Sequence, residues 1–225
     1  LEPTGEERVF TYGVVQGGGY NIDLRFTTTV PAHIQFEFEQ ARLRWQQVIT
    51  GNLPSVPLNI PPGACVVQHP AINETIDDLL IFAEIVPIDG VGGVLGQAGP
   101  CFVRSSSRLP VMGIMRLDIE DLQRMFEQGI LRDVILHEIG HIIGLGSMWI
   151  PQEFNLVQGF GGLDPRYTGA RAISPFVLGG AFASTSIPVE NSGGPGSRDS
   201  HWREASLSNE LMTSQIAGSG PNPLS

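Results

Sequence analysis

Residues 137–149 read "HEIGHIIGLGSMW", and where the histidines fall in and beyond this stretch decides the fold. His137 and His141 are four apart, so a helix carries both on one face, where they can share a cation. Glu138 is turned about 100° from His137, so its carboxylate overhangs the edge of such a site and can hold a water without ligating the metal. Ile130, Leu131, Val134, Ile135, Ile139, Ile142 and Ile143 make the helix apolar on most other sides, which predicts burial. Two neutral imidazoles and a carboxylate in such a place need partners to offset their desolvation, and a divalent ion supplies one. The plainer reading is a buried helix whose histidines bond to backbone, because H-E-x-x-H is a short motif. Gly144 allows the chain to reverse at the end of the helix. Three residues later, where a third histidine would complete a compact ligand set, stands Ser147.

The chain has five histidines. His33 falls on a predicted helix and His69 beside Pro70, and both are read as surface residues. His201 remains, in "DSHWREASLSNELMT", with Met212 in a short Glu-Leu-Met-Thr turn beyond it. These features together resemble the leishmanolysin-type metzincins, in which a long insertion separates an H-E-x-x-H-x-x-G helix from the third histidine and a methionine turn follows. The resemblance spans roughly residues 20 to 220. It implies His137, His141 and His201 as ligands of one catalytic Zn²⁺, Glu138 as general base, Gly144 as the turning glycine and Met212 as an apolar floor. The activity it implies is that of a secreted, extracellular zinc endopeptidase acting on polypeptides.

The Gly-rich segment Gly93, Val94, Leu95, Gly96, Gln97 and Ala98 resembles the edge strand above a metzincin cleft, which can pair with an extended peptide. An ordinary edge strand is the alternative. Two other functions stay open. One is a gluzincin-type peptidase with Glu190, Glu204 or Glu210 as third ligand. The other is a non-catalytic binding module with structural zinc, against which Glu138 weighs, since a structural site needs no base. Members of the family carry a helix after the methionine turn, whereas this chain stops thirteen residues after Met212. The expectation is a chain trimmed at Ser225, with a separate C-terminal fragment or a propeptide as a partner.

The bulk composition agrees with a globular peptidase. At 225 residues and 41% hydrophobic content the chain can bury a substantial core. It holds no apolar run of membrane-spanning length. Net charge is −10 and every basic residue is arginine; an acidic surface repels phosphate backbones, which argues against nucleic acid as a partner. Cys65 and Cys101 are either two buried thiols or a disulfide, and export favours the disulfide. Asp77, Asp78 and Asp89 are the acidic candidates for Ca²⁺, but their spacing matches no loop motif and solvated surface charge is the expectation.

The predicted fold is α+β and metzincin-like: a mixed twisted sheet with a backing helix and an active-site helix in residues 1–146. A loop-rich C-terminal subdomain follows in 147–225, holding the insertion, the third ligand and the methionine turn. "NIDLRF" alternates as a strand does. Pro31 opens a helix with Ile34, Phe38, Ala41, Trp45 and Val48 on one face, ended by Thr50-Gly51. A connector rich in proline (Pro54, Pro57, Pro61, Pro62) leads to a short strand, "ACVVQ". "DDLLIFAEIV" reads as a strand covered on both faces, and "VMGIMRL" as another buried strand. Asp118 caps a helix that Gly129 stops. In the insertion, Trp149, Phe154, Phe160, Tyr167, Phe176 and Phe182 argue for compact structure over a linker.

Overall fold

The apolar run at 79–86 lies at the centre of the main sheet. In the computed structural model, which describes residues 19–65, 68–173, 185–216 and 222, it forms β4 (Leu79–Val86). β4 lies parallel between β1 (Ile22–Phe26) and β6 (Pro110–Asp118), and β5 (Gly96–Val103) closes the order β1-β4-β6-β5 as an antiparallel edge. Leu79, Ile81, Ala83 and Ile85 join the core that the helices build, while Leu80 and Phe82 join a second core on the other face. A strand buried on both faces has no polar side to show, which is why the run lacks alternation.

One face of the sheet is covered by α1 (Ala32–Val48) and α3 (Leu131–Ile143). Ile34, Phe38, Ala41 and Trp45 are buried along α1, and the Trp45 indole N–H donates to the Leu136 carbonyl (2.9 Å), tying α1 to α3 one residue before His137. Val48 is exposed, contrary to the sequence pattern, because α1 ends there, past the edge of the core. Nor does Gly51 cap the helix: Ile49 turns extended and makes the last bond, to Trp45. Asp118 caps α2 (Ile119–Glu127) by accepting the Glu120 N–H, and it also accepts the N–H groups of Asp89 and Gly90. These bonds hold its carboxyl below the usual carboxylate range. Gly129, at φ +73°, ends α2 and leads into α3.

The other face corrects the sequence reading. Val56–Ile60, inside the proline-rich connector, is a strand, β2, paired antiparallel with β3 (Ile72–Ile76) in a separate two-stranded sheet. β2 has one strand neighbour, so Pro57 fits on an edge that needs no further donor. The "ACVVQ" strand is absent at Ala64, Cys65 and Gln68; Val66 and Val67 lie outside the described residues. His69 is buried, not a surface residue: it stacks on Phe82, accepts the Cys65 N–H (3.2 Å) and donates through Nδ1 to the Pro70 carbonyl (2.7 Å). Asp78 is likewise buried, accepting the N–H groups of Asn21 (2.8 Å) and Leu53 (2.6 Å). Three residues of the expected edge strand, Gly93, Val94 and Leu95, belong to the approach to it; β5 begins at Gly96. Cys65 and Cys101 are joined, linking β5 to the loop between β2 and β3.

Beyond α3 lies a small antiparallel sheet of β7 (Val157–Gln158), β8 (Arg166–Tyr167) and β9 (Ile187–Pro188). Trp149, Val157 and Val189 form its core with Tyr167 and Trp202 packed against them. Phe160 is exposed, and Phe176 and Phe182 lie outside the described residues. Among the described residues no helix is long and apolar enough to cross a membrane.

Candidate metal centre

α3 delivers His137, Glu138 and His141 at its C-terminal end, all three buried. The chain then reverses at Gly144, whose φ of +122° a side chain would resist. That reversal brings the Leu145 carbonyl back to accept the His141 Nδ1–H (2.8 Å). Ser147, standing where a histidine could have been, donates its hydroxyl to the His141 carbonyl (2.5 Å) and closes the last turn. The third imidazole arrives sixty residues later: His201 Nε2 lies 3.0 Å from that of His141 and 3.1 Å from that of His137, which are themselves 2.9 Å apart. Among the described residues these three form the one cluster of potential metal ligands.

The hydrogen bonds determine the ring tautomers. His137 Nδ1 faces the Leu211 carbonyl (2.7 Å), His141 Nδ1 that of Leu145, and His201 Nδ1 that of Ser197 (3.0 Å). A carbonyl can only accept, so each Nδ1 carries the proton and each Nε2 is left with a lone pair. Three lone pairs therefore converge at about 3 Å with no proton between them, which is repulsive unless a cation joins them. Zn²⁺ bound by three imidazoles at 2.0–2.1 Å in tetrahedral geometry needs its nitrogens roughly 3.3 Å apart, close to what is seen. The donor set fits zinc.

Burial lowers the His137 pKa to about 4; the nearby His201 adds to this, and the Leu211 bond opposes it. His141 is also lowered, by burial first and then by its two neighbours. His201 is lowered by burial, against the pull of the Ser197 carbonyl and the Glu190 carboxylate. All three rings are thus held neutral, the form that binds metal. Burial alone raises Glu138 to about 8, and a divalent cation beside it acts in the opposite direction.

Long-range packing sets the third imidazole in place. The His201 carbonyl accepts the Glu190 N–H (2.9 Å), and the Glu190 carboxylate accepts the N–H groups of Asn191, Ser192 and Glu204 and the Ser192 hydroxyl. Glu210 accepts the Met212 N–H (2.7 Å). Glu190 and Glu210 are thereby occupied in shaping loops, and neither they nor Glu204 joins the histidine cluster. Met212 is buried against α3 at Gly140, where a Cβ would come within 2.6 Å of its sulfur.

Some residues of the site were not singled out by the sequence. Gly140 is one, and its signal was there: a glycine inside a helix costs about 1 kcal/mol and needs a packing reason. Gly146 is another; a Cβ there would lie 1.8 Å from the Ser200 carbonyl oxygen. Gly96, already part of the expected edge strand, lies against the carboxylate: its Cβ would come within 2.7 Å of Glu138 Oε1. A cavity of about 550 Å³ opens beside His141, bounded among others by Ala98, Ile150, Phe160 and Arg198.

Three neutral imidazoles around one point, with a carboxylate alongside, define a centre of the metallopeptidase type. The leishmanolysin peptidase family, M8, matches residues 24–220, and the chain belongs to it. The family is one of zinc metallopeptidases acting on polypeptides. No curated protein matches the chain.

Proposed function

We propose that the protein is a secreted zinc endopeptidase with His137, His141 and His201 as metal ligands and Glu138 as general base. The observation that carries this is the convergence of three unprotonated Nε2 atoms, each fixed by a carbonyl on its own Nδ1–H. Zinc bound there supplies a Lewis acid that polarises the scissile carbonyl and acidifies water. Glu138, one residue after a ligand, takes the proton of the attacking water and passes it to the departing amine. Its buried setting excludes competing solvent and makes it a strong enough base for that transfer once the cation is present. The edge of β5 receives the peptide as an added strand, with Gly96 and Ala98 nearest the centre.

The same reading assigns the fold to the metzincin type, with Met212 in the methionine turn beneath the metal and Gly144 as the turning residue. It divides the chain into an N-terminal subdomain through residue 146 and a C-terminal one from 147; Trp149, Val157 and Val189 cluster in the latter, while Leu211 and Met212 pack into the core of the former. The Cys65–Cys101 disulfide supports an oxidising, extracellular location. The test compares wild type with Glu138→Gln at equal zinc content. Wild type should hydrolyse casein and the variant should be slower by about 10²–10⁴-fold, the usual worth of a general base. Equal inactivity of the two, with zinc bound in both, would favour a non-catalytic binding module instead.

A further inference from the structure

β5 presents an open edge beside the metal centre, and its backbone groups can be assigned one by one. In an antiparallel pair, opposed residues alternate between exchanging both backbone bonds and exchanging none. The Asp118 N–H donates to the Leu95 carbonyl (3.0 Å), and the register sets Gly96 opposite Leu117, Ala98 opposite Met115 and Pro100 opposite Gly113. Counting from the Leu95–Asp118 contact, Gln97 and Gly99 turn their N–H and C=O groups inward to β6. Gly96, Ala98 and Pro100 turn theirs outward. Pro100 supports this count independently, because a residue without an N–H is tolerated only where the ladder needs no donor.

The outward edge is therefore short. Gly96 and Ala98 each offer a donor and an acceptor, while Pro100 offers an acceptor alone. Directly beyond it the register shifts between Pro100 and Phe102, a bulge at Cys101, and the disulfide to Cys65 anchors that bulge. A bulge breaks the alternation and bends the strand away. Among the described residues no strand pairs with this edge. Gly96 lies against Glu138, and Ala98 shares the cavity beside His141, so β5 runs from the carboxylate past the ligands toward the bulge. A peptide added antiparallel then places the residues before its scissile bond along Ala98 and Pro100.

We propose that Pro100 and the Cys101 bulge terminate substrate strand addition. The protein reads the backbone of its substrate at Gly96 and Ala98, accepts one last N–H at the Pro100 carbonyl, and gains nothing from residues nearer the substrate's N-terminus. This rests on the edge-strand reading of the peptidase site.

The test uses the full chain as zinc-loaded Glu138→Gln and extended peptides lengthened residue by residue at the N-terminus, with Kd from fluorescence anisotropy. Affinity should climb with length and then plateau at the residue facing Pro100. Pro100→Ala, in the same background, adds one donor and should tighten only peptides long enough to present a carbonyl there, by about two- to tenfold, the worth of one hydrogen bond. N-methylation of the peptide amide facing Ala98 should weaken binding, while N-methylation beyond Pro100 should not, which keeps the test independent of the Pro100 variant's folding. Affinity that keeps rising past Pro100, a Pro100→Ala gain at every length, or no peptide binding by zinc-loaded protein overturns the proposal. Wild-type cleavage separates the two ideas: cleavage without a plateau sinks this inference alone, and a plateau without cleavage sinks the peptidase reading alone.

Discussion

Replacing Gly146 by alanine puts a methyl group where the Ser200 carbonyl already stands. The added Cβ would lie 1.8 Å from that oxygen, and Cβ contacts under 3.0 Å are essentially never seen, so the oxygen must retreat by at least 3.0 − 1.8 = 1.2 Å. The obstacle is backbone, so no rotamer change relieves it, and the next residue is His201. Metal sites hold their ligand distances to about ±0.2 Å, so a shift of this size withdraws the third imidazole. The alanine must also adopt φ +77°, at a further cost of roughly 1–2 kcal/mol. Because changes merely adjacent to ligands cost about 10–100-fold in metal affinity, displacement of a ligand should cost at least about 100-fold. Zinc competition against a chromogenic chelator reads this, with far-UV circular dichroism to show that the fold persists. Gly51→Ala is the control, since its Cβ meets nothing within 4 Å. A Gly146→Ala protein that binds zinc within about threefold of wild type would refute the reasoning, since ligand loss should cost far more.

Two further outcomes follow from the same geometry. Gly96→Ala drives a Cβ to 2.7 Å from Glu138 Oε1, so it should lower kcat by about 100-fold, as displaced catalytic groups do, with zinc content unchanged; unaltered kcat would show that the carboxylate is not held against β5. The zinc affinity of the metal-free protein should stay nearly flat as pH falls through 6.5 and decline only at lower pH, because burial lowers all three imidazoles, His137 to about 4. Stability has the same sign in a higher window: the unfolded chain takes up protons first, so the metal-free fold weakens as pH falls from 6.5 toward 4. Chelator competition from pH 4.5 to 8 would contradict this if the decline began near 6.5, the value for a free imidazole.

Much of the local architecture was legible in the chain. The pairing of His137 with His141, the burial of α3, the Asp118 cap and the two-sided burial of β4 follow from helical spacing, capping chemistry and unbroken apolar runs, which involve residues near one another in sequence. The departures have separate causes. Pro57 marks a connector by composition but sits on an edge strand, where no donor is needed. His69 is buried with backbone partners in its own loop, and Asp78 with backbone partners from other segments. Polar side chains that satisfy backbone groups leave no periodic trace.

By itself the sequence determined that two imidazoles and a carboxylate would share one apolar helix, and resemblance pointed to His201 as their companion. Only the tertiary structure decided that its ring meets theirs at about 3 Å, with all three Nδ1 protons committed to the carbonyls of Leu145, Ser197 and Leu211. The reason is range: a helix sets neighbours four residues apart through its own hydrogen bonds. A histidine sixty residues away is set by loops packed through Glu190 and by the close approach to Gly146, and those contacts exist only once the chain has folded.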